Sequence, residues 1–147
     1  MSQERFGCIV REAAITALAA LIDSSPSVNS VKRDADTDLL SANDFPCVVI
    51  TDNGAERLEY KTGGMADVYV TLDLAMMVQT GENQSTALNA LDVAIKTKIA
   101  SNQTLSGTVA WVAILPQDSS DTMGDDNFAV RKRKVTIFYE ASVSGGM

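Results

Sequence analysis

Residues 67–78 read DVYVTLDLAMMV and alternate without interruption between two sets of side chains. The first set is apolar throughout and consists of Val68, Val70, Leu72, Leu74, Met76 and Val78. The second set is mixed and consists of Tyr69, Thr71, Asp73, Ala75 and Met77. Because successive side chains of a strand point to opposite faces, this period of two predicts a long strand with one face on a core. The mixed face is expected to be covered by a neighbour or to be partly solvated.

Two amphipathic helices flank this strand. Residues 4–22 repeat apolar side chains at helical spacing, and Pro26 ends that helix because proline cannot continue it. Residues 85–100 have the same period and place Leu88, Leu91, Ile95 and Ile99 on one stripe. A helix with one apolar stripe buries that stripe on a core. Both helices are therefore predicted to cover the apolar face of the sheet.

Five further segments are predicted as strands. They are residues 28–33, 47–51, 57–60, 109–115 and 129–143. Asp52-Asn53-Gly54 has the residue types of a tight turn and predicts a hairpin between the second and third of these segments. Residues 61–64 predict a second, flexible turn. Trp111 is expected to anchor the packing of the fourth segment.

The predicted fold class is α+β: a mixed or antiparallel sheet with two helices packed on one face, in the order α-β-β-β-β-α-β-β. A chain of 147 residues, 46% of them hydrophobic, is long enough for one core, so we predict a single domain over residues 1–147. Three segments are expected to lie outside its regular elements. They are a polar loop at 34–45, an acidic loop at 117–127 and a frayed tail at 144–147.

The composition disfavours most kinds of catalysis. Histidine is absent, which removes the usual base of a serine or cysteine nucleophile and the commonest metal ligand. The glycine pairs Gly63-Gly64 and Gly145-Gly146 are not followed by the lysine of a phosphate loop. We therefore expect a protein that is not an enzyme and that carries no cofactor.

Charge and hydropathy bear on location. No apolar run reaches the roughly 18 residues of a membrane-spanning helix, and Met1 to Arg5 lacks the features of a signal peptide. The net charge of −7 favours solubility and disfavours nonspecific binding to DNA or anionic membranes. Cys8 and Cys47 have neither metal-ligand spacing nor the density of a disulfide scaffold, and they are expected to be buried, reduced thiols. These features predict a soluble protein that is made in the cytoplasm and not exported.

Two acidic segments are weak metal candidates. Asp34, Asp36 and Asp38 resemble the start of a calcium loop, but Leu39 and Phe45 occupy the positions that need glycine and glutamate. The acidic loop contains Asp118, Asp121, Asp125 and Asp126, again without calcium-loop geometry. We expect no metal in either segment. The acidic loop is expected either to become ordered against a partner or to stay mobile.

The basic run Arg131-Lys132-Arg133-Lys134 lies in the last predicted strand of an otherwise acidic protein. Alternation places the two arginines on the face opposite to the two lysines. Because four charges cannot all face a core, this end of the strand is expected to extend beyond the packed body or to lie between subunits. It is then a solvated strand end, a contact with acidic loops of a neighbour, or, least favoured, a nucleic-acid contact. Arg57 and Lys61 are further candidates for a subunit or partner interface.

Nearly the whole chain resembles the phage tail terminator family. The segments that carry this resemblance are the Arg5-Phe6 helix, residues 45–50, 67–72, 87–91, 104–107 and 135–139. The short Leu105-Ser106-Gly107 element, followed by a strand, an acidic loop and a final alternating strand, is the most typical part.

The resemblance implies a structural virion protein without a catalytic role. Six copies would form a ring that caps the tail tube, ends tube polymerisation and joins the head connector. The implied partners are other copies of the chain, the tail tube protein, the connector or neck protein and, in a contractile tail, the sheath. The protein would be made in the host cytoplasm and reside at the head-proximal end of the tail, with DNA only passing through the ring lumen and no contact with a membrane.

Two other functions fit the sequence. One is another neck protein, such as a head-closure or connector adaptor, which need not stop tube growth. The other is a cytoplasmic ligand-binding α+β module.

The acidic loop at 117–127 is expected to exchange its amide hydrogens rapidly in the free protein and slowly in an assembly, because it contains little apolar surface. Hydrogen–deuterium exchange of the two states measures this. Strong protection in the free protein would instead indicate a built-in structural role.

Overall fold

The structure, a computed structural model, describes residues 7–34, 42–79, 83–115, 122–123 and 128–142. The helices are α1 (Gly7–Asp23) and α2 (Gln84–Ser101). The strands are β1 (Ser30–Arg33), β2 (Cys47–Thr51), β3 (Glu56–Tyr60), β4 (Met65–Gln79), β5 (Trp111–Ile114), β6 (Thr122–Met123) and β7 (Phe128–Ser142). The predicted α+β class is confirmed. The two-residue strand β6 was not predicted, and it lies within the segment predicted as the acidic loop.

The two long strands form the centre of the sheet. β4 and β7 are each 15 residues long and pair antiparallel along their full length, from Met65 opposite Ser142 to Gln79 opposite Phe128. The remaining strands flank them in the order β1-β2-β4-β7-β5, with β3 also paired to β4 and β6 to β7. β1 runs parallel to β2, so the sheet is mixed.

The predicted hairpin between β2 and β3 is wrong. Both strands pair antiparallel with β4 on the same edge, β2 with residues 73–77 and β3 with residues 66–70. They therefore run in the same direction as one interrupted strand. A local hydrogen bond stabilises the interruption: the Asp52 carboxylate accepts it from the Gly54 amide at 3.0 Å. Gly54 has a φ of 83°, which suits an interruption as well as a turn.

The true hairpin joins β3 to β4 through residues 61–64, where a flexible turn was predicted. Gly63 and Gly64 both have positive φ, at 84° and 75°, a conformation that glycine adopts without steric cost. The Lys61 amide donates a hydrogen bond to the Met65 carbonyl at 2.8 Å and closes the turn.

Both helices lie on one face of the sheet, as predicted. The apolar set of β4 is at most 4% exposed. The helix side chains that pack against it include Ile15, Leu18 and Ile22 from α1 and Leu88, Leu91 and Ile95 from α2. β7 adds Val135, Ile137 and Tyr139 to the same cluster. The period of two in the strands and 3.6 in the helices therefore identified the core correctly.

An ion pair attaches α1 to the interrupted strand. The Arg11 guanidinium donates hydrogen bonds to both oxygens of Asp52, one of them from Nε at 2.9 Å. The hydrogen bond from Arg11 holds the pKa of Asp52 below its usual value. Asp52 thus links the helix layer to the segment between β2 and β3.

The other face of the sheet has no helix on it in the described structure. A small cluster covers one end, formed by Cys47, Val49, Met77, Phe128 and Val130 with Phe45 stacked on Phe128. Cys47 is a buried free thiol, as predicted, and burial raises its pKa. The expectation for Trp111 is wrong: its side chain lies on this open face and is 38% exposed, whereas Val112 is the fully buried residue of β5.

Leu91 and Val93 provide a matched test of this arrangement. Leu91 is 2% exposed beneath α2 and Val93 is 61% exposed on the same helix. Leu91→Asp is expected to cost about 4 kcal/mol or more, because it buries a carboxylate without a partner. Val93→Asp is expected to leave the melting temperature nearly unchanged. Thermal unfolding followed by circular dichroism measures both, and equal melting of the two variants would contradict the placement of α2.

Candidate assembly surface

The structure divides the basic run between the two faces of the sheet. Arg131 and Arg133 lie on the helix-covered face, where their side chains are 10% and 9% exposed. Lys132 and Lys134 are exposed on the open face. The predicted alternation is therefore correct. The expectation that this end of the strand extends beyond the packed body is wrong for the arginines, because α2 supplies a buried counter-charge.

That counter-charge is Asp92, whose side chain is 6% exposed. Arg133 donates hydrogen bonds to its two oxygens at 2.6 and 3.3 Å. Arg131 and Lys96 lie 3.5 and 3.2 Å from Asp92 Oδ2. Burial disfavours the charge of Asp92, but the hydrogen bonds from Arg133 and Lys96 outweigh it, so the pKa of Asp92 lies below its usual value.

The sequence contained a signal for this ion pair. Asp92 follows Leu88 by four residues and precedes Ile95 by three, so it lies on the apolar stripe of α2. A carboxylate on a buried stripe requires a cationic partner. The partner could not be identified from sequence, because Arg133 is 41 residues away.

The two lysines differ in their contacts. Lys134 donates a hydrogen bond to Asp73, its register partner on β4, at 3.0 Å. Asn53 donates to the second oxygen of Asp73 at 2.9 Å. Lys132 lies opposite Ala75 and forms no ion pair with any other residue that the structure describes. Lys132 is therefore an exposed cation on the open face.

Arg57 and Lys61 also contribute to the open face, toward the other end of the long strands. The Arg57 guanidinium carbon lies 4.1 Å from the centre of the Tyr69 ring, and Arg57 also pairs with Glu59. Lys61 pairs with Glu140 and lies 3.1 Å from Asp67. The hydrogen bond that Lys61 donates to Glu140 raises the pKa of Lys61, and its contact with Asp67 raises it further.

Four other predicted interface residues, Asp118, Asp121, Asp125 and Asp126, fall outside the described residues, as do Asp36 and Asp38 of the calcium-like segment. Within the described ranges, no group of three or more histidine, cysteine, aspartate or glutamate side chains could hold a metal ion. No helix in those ranges is long and apolar enough to cross a membrane.

Sequence reasoning missed a row of side chains that crosses the open face. Arg57, Tyr69, Phe138 and Trp111 lie in register on β3, β4, β7 and β5. The Tyr69 and Phe138 ring centres are 4.8 Å apart, and those of Phe138 and Trp111 are 5.5 Å apart. We call Tyr69, Phe138 and Trp111 the aromatic row. It depends on the register between distant strands, so no local pattern predicted it.

The sheet has a free edge on each side of the aromatic row. Among the described strands, β3 pairs with β4 alone and β5 pairs with β7 alone. The hydrogen bonds from Lys61 to Met65 and from Thr71 to Ala55 set the alternation along β3. The backbone groups of Glu56, Leu58 and Tyr60 therefore point away from β4.

A cavity of about 300 Å³ lies at one end of the core. It is lined by Val10, Met65, residues 107–110 and residues 139–141. Its titratable side chains are Tyr139 and Glu140, and Glu140 is already paired with Lys61. The described part of the lining therefore brings together no set of catalytic groups.

No family model matches this chain, and no curated protein matches it significantly. The resemblance to tail terminators therefore depends on the sequence segments that carry it.

Asp92→Asn tests the buried ion pair. The amide keeps the shape of the side chain but removes the negative charge that faces the buried Arg133 guanidinium, which is expected to lower the free energy of unfolding by about 3 kcal/mol. Asp73→Asn removes a similar contact at a side chain that is 39% exposed, and is expected to cost less than about 1 kcal/mol. Urea unfolding at pH 7 compares the two.

The effect of Asp92 also depends on pH. The pKa of Asp92 is lower in the folded protein than its ordinary value of 3.8. The contribution of Asp92 to the free energy of unfolding is therefore complete above pH 3.8 and is lost as the pH falls through the lower pKa of the folded state. The difference between the wild type and Asp92→Asn should therefore shrink below about pH 4. An equal stability difference at pH 3 and pH 7 would contradict this role.

Proposed function

We propose that this protein is a phage tail terminator. Six copies form a ring on the end of the tail tube, stop tube polymerisation and offer a joining surface to the head connector. The observation that carries the proposal is the pair of different free edges, β3 and β5, on opposite sides of one sheet. The number six and the identity of the partners come from the family resemblance.

Two different edges suit a ring. A cyclic assembly with more than two members uses a heterologous contact, in which one surface of a copy meets a different surface of the next. A free edge strand carries unpaired backbone donors and acceptors that can pair with another chain. β3 and β5 lie at the same position along the long strands, because Arg57 and Trp111 belong to one row of residues across the sheet. The β3 edge of one copy can therefore meet the β5 edge of the next.

The charged groups also support an assembly role. Asp92, Asp73 and Glu140 are each paired with a cation of the same chain, so these carboxylates stabilise the fold and the sheet surface. In this proposal the protein is made in the host cytoplasm and is incorporated at the head-proximal end of the tail. Its partners are the tube protein, the connector and, in a contractile tail, the sheath, and DNA passes through the ring without specific contact.

Deletion of the gene from the phage tests the function. Without a terminator, tube growth has no stop, so electron microscopy should show tubes of uncontrolled length and heads without tails. Tails of normal length joined to heads would remove the assignment. Tubes of normal length that lack heads would instead indicate a neck adaptor.

A proline substitution on β3 tests the edge contact. The Tyr60 amide faces the free edge, so Tyr60→Pro removes an outward donor without breaking the ladder to β4. Tyr60→Ala is the matched control, because it removes the 68% exposed side chain and keeps the amide. We expect both variants to melt like the wild type and only Tyr60→Ala to complement the deletion. Full complementation by Tyr60→Pro would exclude the β3 edge from the ring.

A further inference from the structure

The open face of the sheet carries charge at both ends of a central apolar band. One end holds Glu59, Asp67 and Glu140, which we call the acidic band. The other end holds Lys132 and Lys134, which we call the lysine band. The aromatic row and the pair Thr71 and Thr136 lie between them.

Among the residues that the structure describes, each band keeps an excess of its own charge. The acidic band has three carboxylates and two neighbouring cations, Arg57 and Lys61. The lysine band has two lysines and one neighbouring carboxylate, Asp73. The described part of the open face is therefore negative at one end and positive at the other.

The two bands are equally distant from the centre of the face. Along β7, Glu140 lies four residues to one side of Thr136 and Lys132 lies four residues to the other. Phe138 and Lys134 lie two residues to either side in the same way. A rotation of 180° about a line that crosses the strands at Thr71 and Thr136 therefore places each acidic band over a lysine band.

We propose that two copies of this chain pack their open faces together about a two-fold axis through Thr71 and Thr136. Glu140 of each copy then pairs with Lys132 of the other, and Lys134 of each copy lies over Phe138 of the other, a cation–π arrangement. The apolar surface comes from the two aromatic rows, one on each side of the axis, and these contain the tyrosine and tryptophan that are enriched at interface hot spots.

The dimensions of the face indicate a weak dimer. Eight residues of strand and three or four strand spacings cover roughly 500 Å² on each copy, near the lower bound of specific interfaces. Because its charged contacts are at the rim, the dimer should weaken as salt rises. The dimer uses the face of the sheet whereas the proposed ring uses its edges, so neither depends on the other.

Charge exchange tests the symmetry. In sedimentation equilibrium at low salt, Lys132→Glu and Glu140→Lys alone are each expected to weaken dimerisation about tenfold, since each change acts at two symmetric contacts. The double variant restores the pair with reversed signs and should return within about threefold of the wild type. Lys98→Glu on α2 makes the same charge change on the other layer and should have no effect. Thermal melts check that all four variants are folded.

Cross-linking tests the position of the axis. Thr71→Cys lies on the axis, so a short bismaleimide should join two copies through that residue. Ala90→Cys, exposed on α2, is the control, and both variants share the background of Cys8 and Cys47. Linking of Thr71→Cys no stronger than that of Ala90→Cys would overturn the proposal, as would a monomer at all concentrations or a dimer insensitive to the charge exchange. The dimer and the proposed function can therefore fail separately. Failure of the cross-linking or charge-exchange test says nothing about tail length in the deletion, and normal tails in the deletion say nothing about the dimer.

Discussion

The register between β4 and β7 is the constraint on which the rest of the structure depends. Because side chains alternate along both strands, a slip of one residue would move every core side chain of one strand to the other face. The observed register places Leu72 opposite Val135 and Val70 opposite Ile137, so one continuous apolar surface receives both helices. β4 and β7 are also the only described strands with which β3, β5 and β6 pair.

The same register explains how an acidic protein accommodates four consecutive cations in a central strand. The arginines face α2, where the planar guanidinium of Arg133 binds both oxygens of a buried carboxylate. The lysines face solvent, where a strongly hydrated ammonium loses little. A buried pair of this kind adds little net stability compared with apolar packing, but breaking it is costly. We infer that Asp92 helps to specify the register, since a slip would remove both arginines from its reach.

Core and surface are thus organised by different interactions. The helix-covered face is stabilised mainly by apolar burial, and the Asp92 ion pairs join α2 to β7 at one end of it. The open face combines aromatic contacts with exposed charge pairs, which are individually weak in water. This surface lies between two strands, β3 and β5, that each pair with only one other described strand.

The sequence by itself determined the two helices, the long alternating strand, the core side chains and the turn at 61–64, because local periodicity follows from backbone geometry. Only the tertiary structure decided how those pieces pair. Asp52-Asn53-Gly54 suits a hairpin and an interrupted strand equally, and the length of β4 selected the second. Trp111 lies on the open face, and Arg133 meets Asp92, through contacts between residues distant in the chain. The physical reason is that a side chain's face follows from its own strand, whereas its partner depends on the register between strands.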